Sequence, residues 1–158
     1  MLRSVSSIST LVCALSLMAG CGGSGASKED FARDVVAARN DADAGLAQIV
    51  QAASWDDLLA RMKIAAVELR TAASDVRTAD APGDLEDERD LLAKRLLALS
   101  DEIISTVETF EAFPDQSQAT RALNFEQWDS VQASLASLRR EGIDVPALER
   151  HKPELQRQ

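Results

Sequence analysis

Residues 84–114 read DLEDERDLLAKRLLALSDEIISTVETFEAFP, and the reading of this stretch decides the fold. Leu85, Leu92, Leu96, Leu99, Ile103, Thr106, Phe110 and Phe113 fall on one stripe when the segment is wound at 3.6 residues per turn. Between them lie Lys, Arg, Asp and Glu. That is the pattern of a helix with one face in a core and the other in water. The carboxylates cluster in DLEDERD, 84–90, where they complement the positive end of the helix dipole. Pro114 ends the segment, because proline has no N–H to continue the ladder and clashes with the preceding turn.

Working outward, two more segments repeat the pattern before it. SKED, 27–30, places Ser three residues before Asp as in a capping box. Phe31, Val35, Ala38, Ala42, Gly45, Ile49 and Ala52 follow in steps of four and three. SWDD, 54–57, restarts the pattern with Trp55, Leu59, Met62, Ala66, Leu69, Ala73 and Val76. These two segments meet at Ser54 with hardly a loop, which predicts an antiparallel hairpin. RNDADAG, 39–45, holds poor helix formers and is the place to expect a kink. Pro82 and Gly83 mark the next turn, with Asp84 as the expected cap. After Pro114 the chain is polar and aperiodic to residue 123. A fourth segment opens at NFEQ, 124–127, with Asn124 as the expected cap and Trp128, Val131, Leu135 and Leu138 as its seam. Gly142 is the expected stop and Pro146 bars continuation. No stretch alternates like a strand. The expected fold is therefore all-α, an up-down-up-down four-helix bundle over residues 28–145 with a polar tail from 146 to 158.

Composition narrows the function classes. The 158-residue chain carries a net charge of −9, 46% hydrophobic residues and no Tyr. An acidic surface is poorly suited to nucleic acid, whose affinity comes from cationic contacts. Catalytic chemistry is hard to assemble. His151, the one histidine, sits in the tail, where it cannot serve a Ser-His-Asp arrangement. DADAG, 41–45, fails as a calcium loop, since Gly45, Leu46 and Ala52 occupy places that require a ligand, a glycine and a glutamate. Met62 belongs to a seam, and no C-x-x-C-H haem attachment is present. The sequence thus predicts no catalytic residue, no metal site and no cofactor.

The N-terminus points to a compartment. Arg3, an apolar run strongest over 11–19 and a small-residue end make up a secretory signal too short to span a bilayer. Its end, Met18-Ala19-Gly20-Cys21, resembles the lipobox of bacterial lipoproteins, with Met18 in place of the usual Leu. The resemblance implies cleavage after residue 20 and a diacylglyceryl group on the Cys21 sulfur, often with a further acyl chain, such as palmitate, on the new amine. Cys13 would leave with the signal, so acylation would also cap what would otherwise be a lone thiol in an oxidising compartment. GGSGAS, 22–27, has the composition of a flexible tether, and two or more acyl chains suffice for stable anchoring. The resemblance implies an extracytoplasmic position at the cell envelope. Gly22, where Asp would retain the protein at an inner membrane, implies the outer membrane in a two-membrane host. APGDLEDERDLL, 81–92, is similar to a turn-into-helix pattern in secreted helical proteins of GC-rich bacteria that carry no assigned activity.

Chain direction adds one expectation. Each tight turn reverses direction, so Trp55, Phe110, Phe113, Phe125 and Trp128 map to the membrane-distal end. There they would either plug the bundle or line an apolar cleft or partner surface. Three roles follow for an acylated bundle: a non-enzymatic binding or structural element of the envelope, a binder of a small apolar ligand, or an adaptor subunit of an envelope complex. The partners expected are the lipid bilayer, through Cys21, and an envelope protein. A pocket among the rings would favour the ligand binder, and an exposed apolar stripe on one helix would favour the adaptor.

Overall fold

The computed structural model describes residues 26–112 and 124–150. Within them the chain forms four helices, α1 (Lys28–Ile49), α2 (Trp55–Thr78), α3 (Glu86–Ala112) and α4 (Gln127–Arg140), with no strand among the described residues.

The starts of α1 and α2 are set as their sequences predict. Ser27 Oγ accepts from the Asp30 N–H at 3.0 Å, and Ser54 Oγ accepts from the Asp57 N–H at 3.2 Å. Asp57 returns the favour to the backbone by accepting from the Ala53 N–H at 2.8 Å, and Arg61 holds the same carboxylate at 2.9 Å. The two serine bonds each satisfy a backbone donor that the first turn of a helix leaves open. α1 runs unbroken through RNDADAG. Its small residues there, Ala42 and Gly45, are buried with Ala38 just before the stretch and lie on the face that packs on α2, so tertiary contact overrides local propensity.

α1 pairs with α2, α2 with α3, and α3 with α4. All three pairs are antiparallel. Across α2 and α3, Lys63 meets Glu111 at 2.7 Å while Arg70 meets Asp101 at 2.9 Å, so rising numbers on one helix meet falling numbers on the other. Across α3 and α4, Arg95 donates to the Ser130 carbonyl at 2.8 Å and the Ser134 hydroxyl at 2.9 Å, while Glu102 meets residues 126 and 127. At the other end Lys28 reaches Asp84 at 3.2 Å and the Glu141 carbonyl at 3.4 Å, so the starts of α1 and α3 and the end of α4 share one end. The architecture is the all-α, up-down-up-down four-helix bundle.

The seams fall where the periodicity puts them, with local shifts. On α3 the inward residue is Val107, and Thr106 turns its hydroxyl back to the Glu102 carbonyl. On α2 Leu58 is fully buried and Leu59 half-buried. Two buried polar side chains join the apolar core. Ser100 donates to the Ala66 carbonyl of α2 at 2.8 Å, and Ser134 accepts from Arg95. Neither is left without a partner, which is what makes a buried hydroxyl tolerable.

Three features differ from the sequence reading. Asp84 does not cap α3. It pairs with Lys28, and Pro82 to Leu85 close a turn through the Leu85 N–H at 2.8 Å. Asn124 does not cap α4, whose first N–H groups at Glu126 and Gln127 are taken by the Glu102 carboxylate at 2.7 and 2.9 Å. The polar tail expected from 146 is, in its first part, a strap. Gly142, at φ 87°, ends α4 in a left-handed turn that only glycine adopts without strain, and the Ile143 N–H bonds the Leu138 carbonyl at 3.0 Å. Residues 143–150 then run back along α4 on its α1 side, burying Ile143, Val145 and Leu148. Gln132 donates to the Leu148 carbonyl, the Glu149 N–H bonds Asp43, and Arg39 donates to the Ala147 carbonyl. The strap fills the side of the bundle where α1 and α4 barely touch. Residues 151–158, including His151, lie outside the described residues.

Candidate functional site

The acylation candidate, Cys21, and one of the five distal rings, Phe113, lie outside the described residues. The other four rings do not form one layer. Trp55, the first residue of α2, packs on Phe110 near the end of α3 with ring centroids 5.0 Å apart and planes tilted by 47°. This is the one aromatic ring pair among the described residues. Phe125 and Trp128 sit at the start of α4, which Glu102 fixes eight residues before Phe110, about 12 Å down α3 at 1.5 Å per residue. The reason is length. α4 has 14 residues against 27 in α3, and its start is tied to the middle of its neighbour. Parity predicts the direction of α4 correctly, and the shared end layer of Trp55 and Trp128 is the part that fails.

The rings are core. Phe110 is 4% exposed, Trp128 7% and Phe125 8%, and Trp55 is half-buried against the same cluster. Buried this far, they favour the plug over a cleft open to a ligand. A void does exist elsewhere, bounded by Val76 on α2, Leu92 and Leu96 on α3, Val131 and Leu135 on α4, and Leu148 of the strap, with Arg39 also in its wall. Its volume of about 10 Å³ has room for a single water molecule and no organic ligand. No aromatic ring lines it.

Beside that void lies the most enclosed charge pair among the described residues. Arg39 and Asp43 are 3.6 Å apart on successive turns of α1, with side chains only 11% and 15% exposed. Arg39 also bonds Asn40 at 3.1 Å and the Ala147 carbonyl, while its Nε hydrogen is buried without an acceptor. Asp43 takes the Glu149 N–H at 2.7 Å. The knot fastens the strap to α1. Sequence reasoning missed it because Arg39 and Asp43 read as ordinary surface charges. The available signal was Ile143, Val145 and Leu148, three apolar residues in a segment with no helical period.

Large apolar side chains are exposed at two places among the described residues. Ile64 and Val67, 45% and 59% exposed, stand one turn apart on the outer face of α2. Leu91 on α3, at 41%, is the third exposed large apolar residue among the described ones. Two carboxyls among the described residues have a shifted titration. The Ser27 hydroxyl and the Arg33 guanidinium hold Asp30 below the ordinary carboxylate range. The Ala53 N–H, then Arg61, do the same to Asp57. Both carboxyls belong to the serine-capped starts of α1 and α2, so the shifts belong to folding. Among the described residues no three His, Cys, Asp or Glu side chains converge as a metal site, and no helix is long and apolar enough to cross a membrane. No protein-family model, curated protein or solved structure matches the chain.

Proposed function

We propose that this chain is an extracytoplasmic lipoprotein of the bacterial envelope, held to a membrane by acylated Cys21 and acting as a non-enzymatic protein-interaction module. The observation that carries the reading is Met18-Ala19-Gly20-Cys21 followed by the tether GGSGAS. Its fit to the fold supports it. Ser27, the last residue of that stretch, is the N-cap of α1, so the helix begins where the flexible composition stops. A tether that ends at a helix start lets the bundle stand off from the headgroups on one end.

Two observations favour interaction over ligand storage. The aromatic rings are buried, and the described void by the strap holds no more than a water molecule. The exposed apolar pair Ile64 and Val67 lies on a helix face instead, the place where a protein partner docks.

The anchor is tested with Cys21→Ser. The parent chain should incorporate labelled fatty acid and sediment with membranes. The variant should take up no label and move to the soluble or secreted fraction. Equal membrane association of the two chains, or a parent without lipid, overturns the reading.

A further inference from the structure

We propose that the outer face of α2 is the seam of a parallel, two-fold homodimer. The partner is a second copy of this chain, and the argument rests on the charges that flank Ile64 and Val67.

From Lys63 to Arg77 the exposed face of α2 follows a seven-residue repeat. Ile64 and Thr71 occupy one inner position, Val67 and Ser74 the other, and all four are exposed. On the α3 side of this stripe stand Lys63 and Arg70, about half exposed, each touching an α3 carboxylate. On the α1 side stand Glu68 and Asp75. The Glu68 side chain overlies Gly45 of α1, and neither carboxylate has an ion-pair partner among the described residues. One edge of the stripe is basic and the other acidic.

That asymmetry selects both partner and direction. When two such helices pack in parallel about a two-fold axis, the residue before the first inner position faces the residue five places on in the other chain. Lys63 then faces Glu68 of the second copy, and Arg70 faces Asp75. Every flanking contact is of opposite sign, and the symmetry doubles each. Packed antiparallel, the same helices set Lys63 and Arg70 against each other and Glu68 against Asp75. Every contact is then repulsive, a built-in discrimination between the two arrangements. The second copy also supplies a countercharge that Glu68 and Asp75 lack among the described residues.

The apolar centre is one layer of Ile and Val between small residues, so the association is weak in dilute solution. Two chains standing on one bilayer would be held parallel and at high effective concentration. The seam itself stands on α2 and not on Cys21.

Disulfide trapping tests it. Single Ala60→Cys, Val67→Cys and Ser74→Cys variants of the full chain are oxidised mildly in membranes, with Asn40→Cys on the exposed side of α1 as control. All three should form the covalent homodimer well above the control. An antiparallel contact would let only Val67→Cys couple to itself, with the other two coupling only to each other on coexpression. That result, or trapping at the control level throughout, overturns the proposal. Lys63→Glu with Arg70→Glu should cut Val67→Cys trapping about fivefold, the scale of a few exposed ion pairs turned repulsive. Adding Glu68→Lys and Asp75→Lys should restore it. Failure to restore, with helical circular dichroism intact, overturns the pairing. The same trapping pattern in a concentrated Cys21→Ser chain would show the seam without the anchor, and trapping there alongside a parent that takes up no lipid label would locate the failure in the anchor alone.

Discussion

At Gly45 two local rules oppose each other. Alanine is the better helix former by about 1 kcal/mol, so propensity alone predicts that Gly45→Ala stabilises α1. A Cβ at this position would lie 2.8 Å from Glu68 Cβ and 3.2 Å from its Cγ. Glu68 Cβ is fixed to the α2 backbone and cannot swing aside, so the helices must part, at the ~1–3 kcal/mol of an overpacked contact. The second effect wins. Gly45→Ala should lower stability by about 1 kcal/mol in urea denaturation, whereas Gly83→Ala, with nothing within 4 Å of its Cβ, should leave it within about 0.5 kcal/mol. The cap Asp57 supplies a pH test. The Ala53 N–H and Arg61 lower its carboxyl in the folded state, so in acid the unfolded state takes up the proton first. The contribution is complete above the ordinary carboxylate value of 3.8 and is lost as pH falls through the depressed one. Asp57→Asn should therefore be less stable than the parent at neutral pH. The difference should close as pH falls through 3.8 and below, giving a flatter acid limb in denaturation midpoints.

The helices themselves are legible in the sequence, because each must bury one stripe and a stripe leaves a period. Phe31, Val35, Ala38, Ala42, Gly45 and Ile49 all face inward as their four-three steps require. Where two apolar residues adjoin, as at Leu58 and Leu59, the period alone cannot choose, and contact with α1 and α3 decides. The start of α4 shows the larger gap. NFEQ has the composition of a self-capped start, yet the cap comes from Glu102, 24 residues earlier, across the bundle. A contact between segments that are distant in sequence leaves no local pattern to read. Removing it has a definite expectation. Glu102→Ala should cost about 1–2 kcal/mol, the range for losing a charged acceptor at a helix N-terminus. It should also speed hydrogen exchange of the Glu126 and Gln127 amides ahead of the rest of α4. Asn124→Ala, at the cap that local composition suggests, should change stability by less than about 0.5 kcal/mol. The same long-range tie explains why the expected aromatic layer divides. Once Glu102 fixes the start of α4, Trp128 cannot reach the level of Phe110 without breaking it.

On the scale of the molecule, four helices do not close the core by themselves. α1 and α4 barely touch, and the gap is filled by a segment whose sequence, GIDVPALE, has no helical or strand period. Ile143, Val145 and Leu148 are 1%, 0% and 4% exposed, so the strap is part of the core even though it belongs to no helix. Burying such side chains contributes about 1.5–3 kcal/mol each. Three of them together approach the ~5–15 kcal/mol net stability of an ordinary domain. The Arg39–Asp43 knot works in the same place but differently. Enclosed charges recover little more than their desolvation cost, so the knot positions the strap while the apolar residues hold it. Two variants separate these roles. Leu148→Ala enlarges the void that Leu92, Leu96, Val131 and Leu135 share with it, and should cost about 2–5 kcal/mol with helicity intact. Glu149→Ala, next to it but exposed, keeps the backbone bond to Asp43 and should stay within about 0.5 kcal/mol. A chain ended after Gly142 loses all three apolar residues and opens the core between α1 and α4 to water. It should keep much of its helical circular dichroism, bind a hydrophobic dye, and unfold over a broad range in place of one sharp transition. Sharp unfolding at the parent midpoint would show that the helices alone complete the core.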